Sequence, residues 1–131
     1  MPSATIAVRR TYSVAEEIAL MHAIQSALVE AFNVPPLDTN IILTVHEPHR
    51  FMCPPDRDDP DRYTNVSIVG HAARPLEAKR HLYRSIIDNL ERLGVPRNCV
   101  LIQLHELPAH DIAVRGGQPL SDILPDEAVR K

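Results

Sequence analysis

The chain has 131 residues, of which 44% are hydrophobic and 24% charged, a composition typical of one globular domain with its own core. Fourteen basic residues against 17 acidic ones give a net charge of −3. With no block of like charge, this balance argues against nucleic acid or a membrane as a partner. No apolar run is long enough to span a membrane and no signal-peptide pattern is present, so we expect a cytoplasmic protein.

The first half of the chain predicts a strand, a helix and a strand. The segment 3–8 predicts the first strand, and Ser13 with Glu16 three residues later has the spacing of a helix capping box. Apolar residues recur at intervals of three and four as far as Phe32, and the two prolines that follow end the predicted helix. A second strand is predicted at 40–47. The segment after it is rich in proline and aspartate and predicts an exposed loop without an element of its own.

The second half repeats this order, with a strand predicted at 65–71, a helix between Pro75 and Gly94, and a strand at 100–106. Glu30, Val34 and Pro35 recur at one common spacing as Glu91, Val95 and Pro96. We therefore predict one α/β (α+β) domain, 1–131, made of βαβ units at 2–48 and 64–108, a loop at 49–63 and a tail at 109–131. Because parallel crossovers are right-handed, both helices can lie on one face of a four-stranded sheet.

The predicted strands are apolar on both faces. Ile41 and Leu43 alternate with Ile42, for example, so neither face of the second strand is polar. A sheet that is apolar on both sides is normally covered on both sides, and the chain predicts no third helix for the second face. We therefore expect an oligomer in which other subunits cover that face.

Pro2 is the first candidate for chemistry. If Met1 is removed, Pro2 presents a secondary amine at the start of the first predicted strand. The pKa of an α-amino group lies near neutrality, and burial or a neighbouring cation lowers it further, so this amine can act as a base. The alternative is a proline that merely begins the strand, and a retained Met1 would make its nitrogen an amide with no basic character.

Neither the cysteines nor the histidines predict a metal site. Cys53 and Cys99 have no metal-ligand spacing, and we expect both to be reduced thiols. The seven histidines include no pair with the spacing of a zinc site and a supporting carboxylate. We therefore expect no metal.

Four further segments, together with Pro2 and the two βαβ units, resemble the tautomerase superfamily over nearly the whole chain, from Pro2 to about Ile123. The segment 31–38 looks like the helix-end signature of the malonate semialdehyde decarboxylase branch. Segments 73–79 and 82–84 look like a stretch shared across the superfamily, and 114–119 looks like the glycine-rich tail of other family members. The resemblance implies a homotrimer with a four-stranded mixed sheet, no cofactor, and a proline amine that acts as general base on a small-molecule carboxylate.

The resemblance also implies roles for individual residues. Arg74 would bind the substrate carboxylate, and Asp38 would orient the prolinium or a water, although aspartate is also common in turns. Three residues would complete the substrate-binding set: Arg115 beside two glycines, His71 in place of a second arginine, and Tyr12 at the mouth of the pocket. The alternatives are a surface role for Arg74, an intersubunit salt bridge for Arg115 and a structural role for His71.

The activity expected from these residues is the interconversion of keto and enol forms of a small 2-oxo acid, as a tautomerase or isomerase. The alternatives are a decarboxylase or hydratase of a three-carbon acid and a catalytically silent trimeric scaffold. An arginine pair of the decarboxylase branch falls here at Gly70 and Ala72, and the water-activating glutamate of the cis-chloroacrylate dehalogenase branch falls at about Val114. Tautomerisation needs only a base and a carboxylate grip, so these departures do not exclude it.

Overall fold

The structure, a computed structural model, describes residues 2–71 and 74–123. Met1, Ala72, Ala73 and the end of the predicted tail lie outside the described residues. The main elements are strands and helices in the predicted order: β1 (Pro2–Val8), α1 (Val14–Phe32), β2 (Ile41–Val45), β3 (Thr64–His71), α2 (Leu76–Arg92) and β4 (Val100–Leu107). The tail adds a hairpin of two short strands, β5 (Ala113–Val114) and β6 (Gln118–Pro119), and the one-turn helix α3 (Leu120–Ile123).

The four long strands form one mixed sheet in the order β2-β1-β3-β4. β1 is parallel to β2 and antiparallel to β3, and β3 is parallel to β4. In the central antiparallel pair, Pro2 lies opposite Gly70 and Val8 lies opposite Thr64. The predicted fold class, two βαβ units that form a mixed sheet, is confirmed.

Both long helices pack on one face of this sheet and against each other. Asn89 of α2 donates a hydrogen bond to the carbonyl oxygen of Ala23 in α1 at 3.0 Å. The core between helices and sheet consists of aliphatic side chains with at most 2% exposure, namely Ile6, Val8, Leu20, Ile24, Leu28, Val66, Ile68, Leu82, Ile86 and Leu90. Burial of each such side chain contributes about 1.5–3 kcal/mol to folding. Among the described helices, none is long and apolar enough to cross a membrane.

The helix ends are those that the sequence predicts. The backbone nitrogen of Glu16 donates to Ser13 Oγ at 3.2 Å, and Ser13 donates its own backbone N–H to Glu16 Oε1 at 2.9 Å. These two bonds form the complete capping box of α1. α1 ends at Asn33 with a φ of 55°, and α2 is followed by Gly94 with a φ of 93°. Both residues adopt the left-handed conformation that terminates helices.

The loop between β2 and β3 is more regular than predicted. The prediction that it has no element of its own is wrong, because it contains two one-turn 3-10 helices, Pro48–Arg50 and Pro60–Arg62. Proline suits the first position of such a turn, since it fixes φ and needs no backbone donor. Arg9, directly after β1, holds both turns through bonds to the carbonyl oxygens of Phe51 at 2.9 Å and Pro60 at 2.8 Å. One side chain at the end of β1 thus fixes the course of the loop.

The sheet face that points away from the helices is uncharged. The strand register and the alternation of side chains place the following residues there: Ser3, Thr5, Ala7, Ile42, Thr44, Asn65, Ser67, Val69, His71, Leu101, Gln103, His105 and Leu107. None of them is lysine, arginine, aspartate or glutamate, and Ile42 is 61% exposed in the single chain. This open face is less apolar than the sequence predicts, because serine, threonine and glutamine alternate with the aliphatic residues.

Candidate active site

Pro2 begins the central strand and is buried on the helix-facing side of the sheet. Its partner across the antiparallel pair is Gly70. A Cβ atom added to Gly70 would lie 3.6 Å from the Cβ of Pro2. Because glycine has no side chain, β3 places only backbone directly beside the proline ring, in a space where an added Cβ would make ordinary contact with Pro2 and Arg74. We call this space the Gly70 floor.

Arg74 lies between β3 and α2, next to the Gly70 floor. Its Nη1 is 4.0 Å from the position of the added Cβ. The guanidinium stacks on the ring of Phe32, with 4.2 Å between Cζ and the ring centroid, a favourable cation–π contact. Burial lowers the pKa of Arg74, while the charge of Glu106 acts in the opposite direction. Among the described residues, no carboxylate lies within 4.0 Å of this guanidinium, so its charge is available to an anion.

Glu106 and Lys79 form the far side of the same space. Glu106 of β4 lies opposite Gly70, so Pro2, Gly70 and Glu106 form a row across three strands. Lys79 Nζ of α2 donates to Glu106 Oε1 at 2.6 Å, and the two side chains are 23% and 28% exposed. Our sequence interpretation missed this pair. The signal that could have found it is the alignment of β3 with β4, which sets Glu106 beside Gly70.

Asp38 is a turn residue at the same end of the sheet. Its backbone nitrogen bonds to the carbonyl oxygen of Pro35 at 2.9 Å, and its own carbonyl accepts a bond from Gln25 Nε2 at 3.2 Å. Two residues later, the carbonyl of Asn40 accepts from the backbone nitrogen of Ala4 at 2.9 Å. These bonds hold the Asp38 segment beside the first residues of β1. Asp38 is therefore a turn residue whose backbone lies toward the same end of β1 as Pro2.

His71 follows Gly70 in β3 and is only 4% exposed. Because side chains alternate along a strand, His71 lies on the opposite face of the sheet from Pro2 and Gly70. Its backbone pairs with Leu107 of β4. The structure thus does not bring His71 into the space beside Pro2 in the same chain.

Tyr12 follows the opposite end of β1, so the prediction that it lines the mouth of the Pro2 pocket is not met within one chain. β1 runs from Pro2 to Val8, a length of about 20 Å, and carries the chain away from the site before Tyr12 is reached. Tyr12 is 7% exposed, and the guanidinium carbon of Arg10 lies 5.3 Å above the centroid of its ring. Burial raises the pKa of Tyr12, with the nearby charge of Arg62 opposing this effect.

Arg115 occupies the tip of the β5–β6 hairpin. It has a φ of 49°, and the two glycines after it have φ values of 81° and 93°. This run of left-handed residues forms the tight turn, and the Arg115 side chain is exposed. It makes no hydrogen bond or ion pair within 4.0 Å to another residue in the described part of the chain. The described residues also contain no group of three or more histidine, cysteine, aspartate or glutamate side chains that could hold a metal.

Solved structures share this fold of two βαβ units. The chain is similar to the FG41 malonate semialdehyde decarboxylase inhibited by 3-bromopropiolate, with a TM-score of 0.83 and 23% identity over 92% of this chain and 95% of that one. A second malonate semialdehyde decarboxylase, described with decarboxylase and hydratase activities, is similar with a TM-score of 0.81 and 21% identity over 95% of this chain and 98% of that one. A symmetric trimer of fused 4-OT is similar with a TM-score of 0.79 and 19% identity over 89% of this chain and 94% of that one.

The family comparison matches residues 38–115 to a model described as "Tautomerase enzyme". This match spans more than half of the chain, and the chain therefore belongs to the tautomerase family. The resemblance seen in the sequence is confirmed at this level. No curated protein matches the chain.

Proposed function

We propose that this protein is a tautomerase that interconverts the keto and enol forms of a small 2-oxo acid, with the Pro2 amine as general base. The observation that carries the proposal is the position of buried Pro2 beside the Gly70 floor, with the Arg74 guanidinium at its edge. The reaction requires two components beside one substrate, a base and a group that binds the substrate carboxylate.

In the proposed reaction, Arg74 holds the substrate carboxylate through two parallel hydrogen bonds. The neutral amine of Pro2 takes the proton from the enol hydroxyl, and the prolinium then returns a proton to the neighbouring carbon, which leaves the ketone. A guanidinium close to the amine favours its neutral form, because the protonated form would place two positive charges side by side. Asp38 would orient the prolinium between the two transfers.

Decarboxylation or hydration of a three-carbon acid is the second candidate. The observation that favours it is the backbone anchoring of the Asp38 segment beside β1, since a carboxylate there could position a water as well as a prolinium. The two decarboxylases with the same fold add to this reading. The arginine pair of that branch is not matched at Gly70, which is why we place tautomerisation first.

We further propose that the protein is a homotrimer. The uncharged open face supports this, because a sheet face exposed to water normally carries charged residues and this one has none at the positions named above. The fused 4-OT structure with the same fold is a trimer. In such an assembly, the exposed Arg115 would join Arg74 in binding the one substrate carboxylate. Tyr12 and His71 are not part of the site proposed for one chain.

The test is the rate of ketonisation of phenylenolpyruvate by the protein without Met1. Pro2→Ala removes the secondary amine, and we expect the rate to fall at least about a hundredfold, within the range usual for general-base catalysis. Ser3→Ala is the matched control, since it alters the next residue and leaves the amine intact. A preparation that retains Met1 should be as inactive as Pro2→Ala.

Two outcomes would contradict the proposal. Equal rates for the protein without Met1 and the preparation that retains Met1 would exclude the Pro2 amine as the base. No rate above buffer for either protein, together with release of carbon dioxide from malonate semialdehyde, would favour the decarboxylase. No reaction in either assay would leave the silent scaffold as the better account.

A further inference from the structure

The Glu106–Lys79 ion pair borders the Gly70 floor, and the reaction proposed above gives it no role. Its 2.6 Å contact links β4 to α2, and the two side chains are 23% and 28% exposed, although Glu106 as a whole residue is exposed at the end of β4. Surface ion pairs contribute little to stability. Stabilisation of the fold therefore does not explain this pair, and its position at the edge of the candidate site suggests a role in substrate binding.

The row Pro2, Gly70, Glu106 gives the dimensions of the space. Adjacent strands are about 4.8 Å apart, so the backbone of Glu106 lies about 10 Å from that of Pro2. Gly70 places no side chain between them. A small acid that lies on the floor with its reacting carbon at Pro2 therefore points its remainder toward Glu106 or Arg74.

The charges around the floor are unequal. The charge of Lys79 is matched by Glu106, whereas Arg74 has no carboxylate within 4.0 Å among the described residues. Within one chain, Arg74 therefore fits one substrate carboxylate, the same one that Arg115 would also bind in the proposed trimer. A second substrate carboxylate would approach Glu106, and like charges repel more strongly in a partly dry pocket than in water.

We propose that the Glu106–Lys79 pair makes the site selective for monoanions. The substrate class is then a 2-oxo acid with one carboxylate and an uncharged remainder, and dicarboxylates are disfavoured. This inference rests on the proposed function, because it concerns the same pocket, and it adds Glu106 as a specificity-determining residue.

The experiment compares the binding of crotonate and fumarate to the protein without Met1. These acids share one carbon skeleton and differ in a methyl group and a carboxylate, and neither can ketonise. Binding is followed by the NMR shift of the Gly70 backbone amide, which reports on the floor itself. We expect the wild type to bind crotonate at least about tenfold more tightly, and Glu106→Gln to reduce that ratio about tenfold, which is ~1.4 kcal/mol.

Two further variants separate this effect from a change in net charge. Glu77→Gln makes the same charge change on a 74% exposed side chain in the first turn of α2, and it should leave the ratio unchanged. The double variant Lys79→Met with Glu106→Gln keeps the net charge and should still reduce the ratio, because the repelling carboxylate is gone.

Equal affinity of the wild type for both acids would overturn the inference, as would an equal effect of Glu77→Gln. A Gly70 amide that shifts with neither acid would overturn it as well, because the floor would then not accept a carboxylate. Binding is read here without turnover. A protein that prefers crotonate but does not ketonise phenylenolpyruvate would therefore refute the proposed reaction and leave charge selection standing.

Discussion

Replacement of Arg74 by methionine should lower activity without lowering stability. The activity falls because the substrate loses two hydrogen bonds to a charged group, each of which contributes about 1.5–3 kcal/mol. At the lower limit the two bonds together contribute about 3 kcal/mol, which corresponds to a loss of at least about a hundredfold in kcat/KM.

The stability should behave differently, because burial lowers the pKa of Arg74. A base whose pKa is lower in the folded than in the unfolded state destabilises the fold wherever it carries its charge. Methionine keeps an apolar contact with Phe32 and removes this charge. The lost cation–π contact, about 0.5–1 kcal/mol at partly exposed sites, acts in the opposite direction. We therefore expect the Tm of Arg74→Met to equal that of the wild type or to exceed it by a few degrees.

The assay combines kcat/KM for phenylenolpyruvate with thermal unfolding of the same samples. Arg97→Met is the matched control, since Arg97 is a surface residue paired with Asp88 at 2.7 Å and Glu91 at 3.1 Å, and its loss should leave kcat/KM unchanged. A Tm of Arg74→Met more than about 5 °C below the wild type, roughly 1 kcal/mol for a chain of this size, would show that Arg74 is a structural residue. A kcat/KM within threefold of the wild type would show that Arg74 does not bind the substrate carboxylate.

The other predictions concern the floor, the helix ends and the open face. Gly70→Ala introduces only ordinary contacts, at 3.6 and 4.0 Å, so it should fold normally and raise KM about tenfold; an unchanged KM would place the substrate elsewhere. Gly94→Ala forces a φ of 93° on alanine and should lower the free energy of unfolding in urea by about 1–2 kcal/mol, with activity retained. Ser13→Ala should cost about 1 kcal/mol at neutral pH. The backbone N–H and the hydroxyl of Ser13 hold the pKa of Glu16 below its usual value, so the stability from these bonds is present above that value and lost as the pH falls below about 4. Ser13→Ala removes only the hydroxyl, so its cost should be somewhat smaller at pH 3 than at pH 7; a larger cost at pH 3 would contradict this. Thr5→Lys places a charge on the open face and should give a folded monomer by sedimentation, whereas a persistent trimer would show that this face is not the interface.

The helices and strands were predictable because their signals are local. The capping box of Ser13, the left-handed stop at Gly94 and the apolar periods are each set by residues within a few positions of one another. The two 3-10 turns of the loop were missed, because their stability comes from Arg9, which lies about 40–50 residues away in the chain. A local pattern contains no sign of such a bond.

The site was only partly predictable, for a related reason. Pro2 was proposed from the chemistry of its amine and Arg74 from the family resemblance, and the fold brings both to the Gly70 floor. Glu106 was missed because its place depends on the register of three strands, which a single sequence does not state. The prediction for Tyr12 is not met within one chain, because the full length of β1 lies between Tyr12 and Pro2.

The internal repeat leaves the sheet with two corresponding ends that have diverged. The start of β3 corresponds in the repeat to the start of β1, and Tyr63 stands directly before β3. Tyr63 is 8% exposed and packs edge-on against Phe51, with ring centroids 6.2 Å apart. The start of one strand is thus packed with aromatic side chains, while the start of the other lies beside a glycine and the Arg74 guanidinium. The two repeats thus divide stability and chemistry between opposite ends of the sheet. Aromatic packing at the start of β3 stabilises the fold, while the start of β1 presents the candidate reactive groups.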